Sequence, residues 1–326
     1  MQYRKRGRIV FEYISKKILV SILILMIVSF IAFWIISVLP GDAAIISLGL
    51  EATEERLAEL RAEWHLDEPL LQRYFYWLSG VLRGDFGYST HYKATCLEVL
   101  QQRMPITVTL GAISLVGGVL LGIVFGIIAA VNRGNAVDTA VTFMANLGVS
   151  VPAFWLCILL IYLFAVWLHI LPVQGYVSPS ENFGLFLQSA CLPCCSMAWG
   201  SMATVCRQTR SAILETLHQN HVKTARAKGL RENRIMVRHV LKNSLIPVIT
   251  LLGFQVRNLV GGSVVVEQIY NIPGMGRTLI QAVNSRDTNM VLACLMIIAV
   301  ITIVASLLVD VAYGIVDPRI RRGGNG

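Results

Sequence analysis

His221-Val222-Lys223-Thr224-Ala225-Arg226-Ala227-Lys228-Gly229-Leu230 lies at the centre of a charged stretch, residues 207–242, that interrupts an otherwise apolar second half of the chain. Nine of its 36 residues are Lys or Arg, and two, Glu215 and Glu232, are acids. At 3.6 residues per turn, Ile213, Leu214, Leu217, Val222 and Ala225 share one face while the charges point elsewhere. Gly229 breaks that pattern, and a second helical run follows from Glu232 to Val240. The spacing predicts a helix, a turn and another helix, apolar on one face and basic outside. Charge alone leaves two readings open: a solvated loop that only fixes membrane orientation, or a rigid knob on which a partner docks.

Both readings require a membrane, and the composition agrees. The 326 residues are 55% hydrophobic and 14% charged, with a mean hydropathy of +0.64. That balance belongs to multi-span membrane proteins. A span needs about 20 apolar residues to cross roughly 30 Å of hydrocarbon. Runs 18–39, 105–131, 139 to about 170, 182–206 and 288–309 qualify, as does 243–266 if Arg257 is tolerated. All six must be helical, because an open strand in lipid leaves backbone groups unpaired.

Orientation follows from the basic residues near the span ends. The N-terminal segment, the link after the second span, the 207–242 loop and the C-terminal tail hold 19 of the 28 Lys and Arg. The opposite segment, from Gly41 to Gln101, holds five basic residues and ten acids. Both termini are therefore expected in the cytoplasm. The net charge of +9 reports topology, and no nucleic-acid partner is expected. The expected organisation is a cytoplasmic N-terminus (1–17), a first span (18–39), an outer insert (40–101), a membrane domain (102–322) containing the charged loop, and a short tail (323–326). The first apolar run, at 22 residues, is too long for a usual signal core and lacks a small-x-small cleavage site, so it reads as a retained helix.

Smaller features refine this outline. Thr53 to Trp64 reads as a helix with Thr53 as its N-cap, and Gly84-Asp85-Phe86-Gly87 reads as a turn. Gly118, Gly122 and Gly126 put small residues every four positions in the second span, which lets two helices approach closely. Pro152 is expected to kink the third span. The fourth span is poor in Leu and Ile, so it belongs inside, lining a pathway or facing a partner. Cys191, Cys194 and Cys195 have the C-x-x-C spacing of a metal or redox site, yet no second pair or nearby His completes it. Packing is the favoured role, and no metal site is expected.

Several ordered motifs resemble the dipeptide, oligopeptide and nickel permease family of ABC importers. The loop's Thr224-Ala225-Arg226-Ala227-Lys228-Gly229 resembles that family's cytoplasmic segment, although the Glu and Pro of the general permease signature are absent. Leu39-Pro40-Gly41-Asp42, His65-Leu66-Asp67-Glu68-Pro69-Leu70 and Gly84-Asp85-Phe86-Gly87-Tyr88-Ser89 resemble its outer segments. Gly261-Gly262-Ser263-Val264-Val265-Val266-Glu267, then Pro273-Gly274-Met275-Gly276-Arg277, then Arg286-Asp287, match a further set, and Asp317-Pro318-Arg319 closes the series.

The resemblance implies an all-α membrane protein with six transmembrane helices, of the type I ABC-importer permease fold, carrying an extracytoplasmic insert after the first helix. Lys223, Thr224, Ala225, Arg226, Ala227, Lys228, Gly229 and Leu230 are then the helix that couples to an ATPase. Gly261, Gly262, Glu267, Pro273, Gly274, Gly276, Arg277, Arg286 and Asp287 are pathway or gate candidates. Arg257 joins them because a charge within a span is costly and marks function by default. The implied partners are a second permease subunit, two ATPases and a solute-binding protein; ATP and Mg belong to the ATPases, so no cofactor is expected here. Residues 271–278 mimic a phosphate loop, but Asn271 replaces the first Gly and Arg277 the Lys. Peptides are the expected cargo and nickel or a nickel chelate the alternative. An intramembrane enzyme lacks its motifs, and a secondary transporter would use more ionisable residues in its spans and internal repeats.

Overall fold

The computed structural model describes residues 2–38, 53–63 and 67–316; within these, the side chains of 2–14, 60, 63, 246, 249–254, 257–262 and 310–316 are not described. The described chain is almost entirely helical. Helix α1 (Gln2–Val38) precedes α2 (Glu54–Glu63) and α3 (Leu70–Leu82). A two-residue hairpin, β1 (Tyr88–Ser89) antiparallel to β2 (Ala94–Thr95), leads into α4 (Cys96–Val131). Then come α5 (Ala136–Ser150), α6 (Ala153–Leu160, running on as a π-helix Ile161–Trp167) and α7 (Phe183–Leu217). The charged loop forms α8 (Asn220–Ala227) and α9 (Glu232–Ile235, running on as a π-helix Met236–Leu241). Helices α10 (Lys242–Ile269), α11 (Met275–Asn284) and α12 (Thr288–Val316) complete the order.

Among the described residues, four helices are long and apolar enough to cross a membrane: Ser15–Val38, Cys96–Val131, Phe183–Leu217 and Thr288–Val309. The pair α5 and α6 makes a fifth if it counts as one span, but its halves are bent by 112°. This is a break rather than the expected kink. Proline pushes the residue before it out of helical geometry, and here Val151 (φ −76, ψ 125) and Pro152 (φ −61, ψ 138) are both extended. The sixth expected span, 243–266, falls on α10, which is helical throughout although much of its side-chain environment lies outside the described residues. Helices α4 and α7 both run past the apolar segments expected for them.

Two compact units divide the chain. In the first, which includes Val108–Ile272, α7 is the central helix. The glycine stripe of α4 rests on it: a Cβ at Gly122 would lie 2.7 Å from the Met202 carbonyl oxygen, and one at Gly126 2.6 Å from Thr209 Cβ. Gly148 of α5 meets Ala203 and Trp199 in the same way. Near the end of α10, the Tyr270 hydroxyl lies 3.0 Å from Ser196 Oγ on α7 and 3.4 Å from the Cys157 carbonyl on α6. Surrounded on several sides, α7 has little use for large lipid-facing side chains. Cys194 is buried in this packing, while Cys191 and Cys195 are exposed.

The second unit includes Ser15–Thr107 and Pro273–Ile303. Tyr74 of α3 is buried with Phe33 of α1 and Leu292 of α12, and its hydroxyl lies 2.8 Å from Ser29 Oγ. A second core joins Cys96, Val99 and Leu100 of α4 with Met275 and Ala282 of α11 and Met290 of α12. Thr53 caps α2, accepting the Arg56 N–H at 3.4 Å. Gly84 and Gly87 take positive φ (+86 and +81), which closes the expected turn. Trp64, His65, Leu66, residues 39–52 and the tail from Asp317 lie outside the described residues.

Candidate functional site

The charged loop folds into the helix, turn and helix that its spacing predicts. Its apolar face is a real core: Ile213, Val222, Ala225, Ile235 and Val240 are buried together with Ala130 of α4. Leu214, Leu217 and Leu230 pack against them. All five residues assigned to one face therefore share one cluster.

The turn is built to be rigid. Gly229 adopts φ +75, a conformation that residues with a Cβ rarely hold. The Leu230 N–H donates to the Ala225 carbonyl at 3.3 Å and the Gly229 N–H to the Arg226 carbonyl at 2.9 Å. This pair of bonds satisfies the last carbonyls of α8 and closes it with a left-handed glycine. Arg226 then grips Glu232 across the turn, Nε to Oε1 at 2.7 Å and Nη2 to Oε2 at 3.2 Å. The guanidinium holds the Glu232 carboxyl below its usual value, and both groups stay solvent-exposed.

Of the eight coupling candidates, Lys223, Thr224, Arg226, Ala227, Lys228 and Gly229 are exposed, Leu230 is half-buried and Ala225 is turned into the core. The knob thus presents a short helix with three cations outward. Val237 on the following run is 66% exposed, an apolar side chain at the surface that the charge pattern did not single out.

The pathway candidates divide between the two units. Helix α10 carries Arg257, Gly261 and Gly262, whose surroundings lie outside the described residues. Glu267, in the same helix, is 1% exposed. In the other unit, Pro273 is half-buried, and Gly274 and Gly276 are buried at the start of α11. There the Met275 N–H donates to Thr107 Oγ1 at 2.8 Å; Arg277 is half-buried.

Arg286 and Asp287 do structural work that sequence reasoning missed. Arg286 takes φ +55 and is exposed, occupying the left-handed position that ends α11. Asp287 is 2% exposed. Its carboxylate accepts the Ser89 hydroxyl at 2.5 Å, the His91 N–H at 3.1 Å and the Met290 N–H at 3.1 Å. One acid therefore caps α12 and holds the β1–β2 hairpin. Asp138 and Arg210 also escaped notice. They form a forked ion pair at 2.6 and 2.8 Å, with Asp138 buried and Arg210 half-buried, and 72 residues separate them.

An exposed basic knob thus stands on a bundle that contains helices long and apolar enough to cross a membrane. The family described as binding-protein-dependent transport system inner membrane component matches residues 122–322, and its N-terminal counterpart matches residues 10–111. A Sinorhizobium fredii protein named probable peptide ABC transporter permease protein y4tP is 35% identical over 309 residues, covering 95% of this chain and 99% of that one. The oligopeptide transport system permease protein AppB of Bacillus subtilis is 34% identical over 311 residues, covering 94% and 98%. Among solved structures, the inward-facing MetNI methionine ABC transporter matches with a TM-score of 0.53 at 18% identity, covering 68% of this chain and 97% of that chain. The chain belongs to the family of binding-protein-dependent transport system inner membrane components.

Proposed function

We propose that this chain is the transmembrane permease subunit of an ATP-driven importer that moves di- or oligopeptides delivered by a solute-binding protein. The observation that carries the reading is the closed, exposed knob at residues 220–230, rigid at its turn and continuous through its core with α4 and α7. A second, related permease completes the pathway, and two ATPases dock on the knobs and bind ATP and Mg. Closing of the ATPases pushes each knob, and the bundle alternates between outward and inward openings. Both termini lie in the cytoplasm, as the basic residues dictate.

Peptide cargo is favoured over nickel by the names of relatives that match this chain over nearly their whole length. Arg257 is proposed to face the water-filled pathway and attract a peptide carboxylate, since a lone charge in a span marks function by default. Gly261, Gly262, Glu267, Pro273, Gly274, Gly276, Arg277, Arg286 and Asp287 are proposed as further pathway or gate residues. The test is affinity purification from native membranes in mild detergent. A second multi-span chain and ATPases bearing Walker motifs are expected; a lone chain that transports without any ATPase would overturn the reading. Uptake of labelled peptide against labelled nickel by the purified assembly then decides the cargo.

A further inference from the structure

The link between α4 and α5 is tied to α7 by an ion pair to which the coupling reading assigns no role. Asp138, in the first turn of α5, is 5% exposed. Arg210 meets it with two bonds, Nε to Oδ1 at 2.6 Å and Nη2 to Oδ2 at 2.8 Å. The Gly134 N–H donates to Oδ2 at 3.0 Å and Thr142 Oγ1 to Oδ1 at 3.3 Å. Each carboxylate oxygen is thus held twice. Such a fork fixes angle as well as distance, and removing Arg210 would leave the buried Asp138 carboxylate without its cation.

The surroundings show what the pair connects. On α7, the residue before Arg210, Thr209, lies against Gly126 of α4. Ile213, one turn further on, is buried in the knob core with Val222 and Ala225. Towards its other end, α5 also packs closely on α7, where Gly148 meets Ala203 and Trp199. Two residues beyond the end of that helix, the chain makes its 112° break. Helix α5 is therefore fixed to α7 by a forked ion pair on the knob side and by close packing near the break.

Resting on the importer reading, we propose that Asp138 and Arg210 are positioning residues that carry displacement of the knob from α7 into α5. With the clamp intact, α5 follows α7, and the motion is taken up at Val151 and Pro152, where the backbone is extended rather than helical. The pair is then the link between the docking surface and the broken span.

The test uses the complete importer in lipid vesicles, reading ATP hydrolysed, labelled peptide taken up and ATPase bound. Absence of ATP-driven uptake by the wild type would defeat the importer reading itself; the ratio of variant to wild type judges the clamp. Asp138→Asn is expected to bind ATPase normally and to hydrolyse ATP, with uptake per ATP falling about tenfold or more. Combining Asp138→Arg with Arg210→Asp is expected to restore most of the loss. Unchanged uptake per ATP in Asp138→Asn would overturn the proposal, as would loss of bound ATPase, which would make the pair a scaffold for the knob. Should the variants fail to fold, spin labels at exposed Arg133 and Asn220, with Cys191 and Cys195 changed to Ser, provide the second arm. Their separation is expected to stay the same with and without ATP, and a change of several Å would sink the clamp.

Discussion

Gly229 and Asp287 show how differently two residues can be read. A Cβ at Gly229 would meet nothing within 4 Å, but the backbone sits at φ +75. The strain of a left-handed non-glycine residue is roughly 1–2 kcal/mol, which a bundle of this size tolerates. Gly229→Ala is therefore expected to assemble and transport. Gly229→Asp adds a negative charge to a surface that presents Lys223, Arg226 and Lys228, and is expected to lower uptake per ATP by about five- to a hundredfold while hydrolysis continues. Equal coupling in the two variants, measured in vesicles, would count against the knob as the docking surface. Asp287 is the opposite case. Its two hairpin partners are 198 and 196 residues away in sequence, so a list of motif residues cannot reveal that it is a cap and a clamp. Asp287→Ala strands buried donors and removes an N-cap, a loss of about 2–4 kcal/mol. A lowered thermal midpoint in detergent, with faster amide exchange at Tyr88–Thr95, is the expected result; unchanged exchange there would refute the clamp.

At the level of elements, periodicity carried most of the information. The face shared by Ile213, Leu214, Leu217, Val222 and Ala225 was readable because both helices flanking the link 218–219 keep a helical period. The glycine stripe of α4 was readable as a packing surface, but its partner was not. Close approach depends on which helix the topology brings alongside, and nothing local to Gly122 names Val205. Helix ends were also hidden, since α4 begins at Cys96 and α7 continues to Leu217, in polar surroundings where hydropathy gives no signal. The break at Val151 was legible only as a proline. Its 112° angle arises because two consecutive residues leave helical geometry. The packing makes a clear forecast. Gly122→Leu would drive a side chain into Met202 O and Val205, at 2.7 and 2.8 Å already from a Cβ. Backbone cannot yield as a flexible side chain can, so a loss of about 1–3 kcal/mol or more is expected. Gly117→Leu, with nothing within 4 Å, is expected to melt like the wild type, and equal losses at the two sites would refute this packing.

For the molecule as a whole, the knob core decides how the chain threads the bilayer. Ala130, at the end of α4, and Ile213, near the end of α7, are buried in the same cluster as Val222 and Ala225. Helices α4 and α7 therefore finish on the knob's side. At 1.5 Å per residue, the 35 residues of α7 run about 50 Å, more than the hydrocarbon thickness, so Phe183 begins on the far side. The chain between them, α5 and α6, leaves from the knob's side and must deliver Phe183 to the other. Despite its sharp break, the pair is expected to cross once in net, since a re-entrant loop that returned to the knob's side would leave α7 starting at the wrong face. With Cys191 and Cys195 changed to Ser, a cysteine at exposed Val173 is expected to react with a membrane-impermeant maleimide in intact cells. One at exposed Arg133 is expected to react only after the membrane is opened. Protection of both positions in intact cells would place them on one side, make α5 and α6 a re-entrant pair, and require the chain to reach Phe183 by a route that its own helices do not provide.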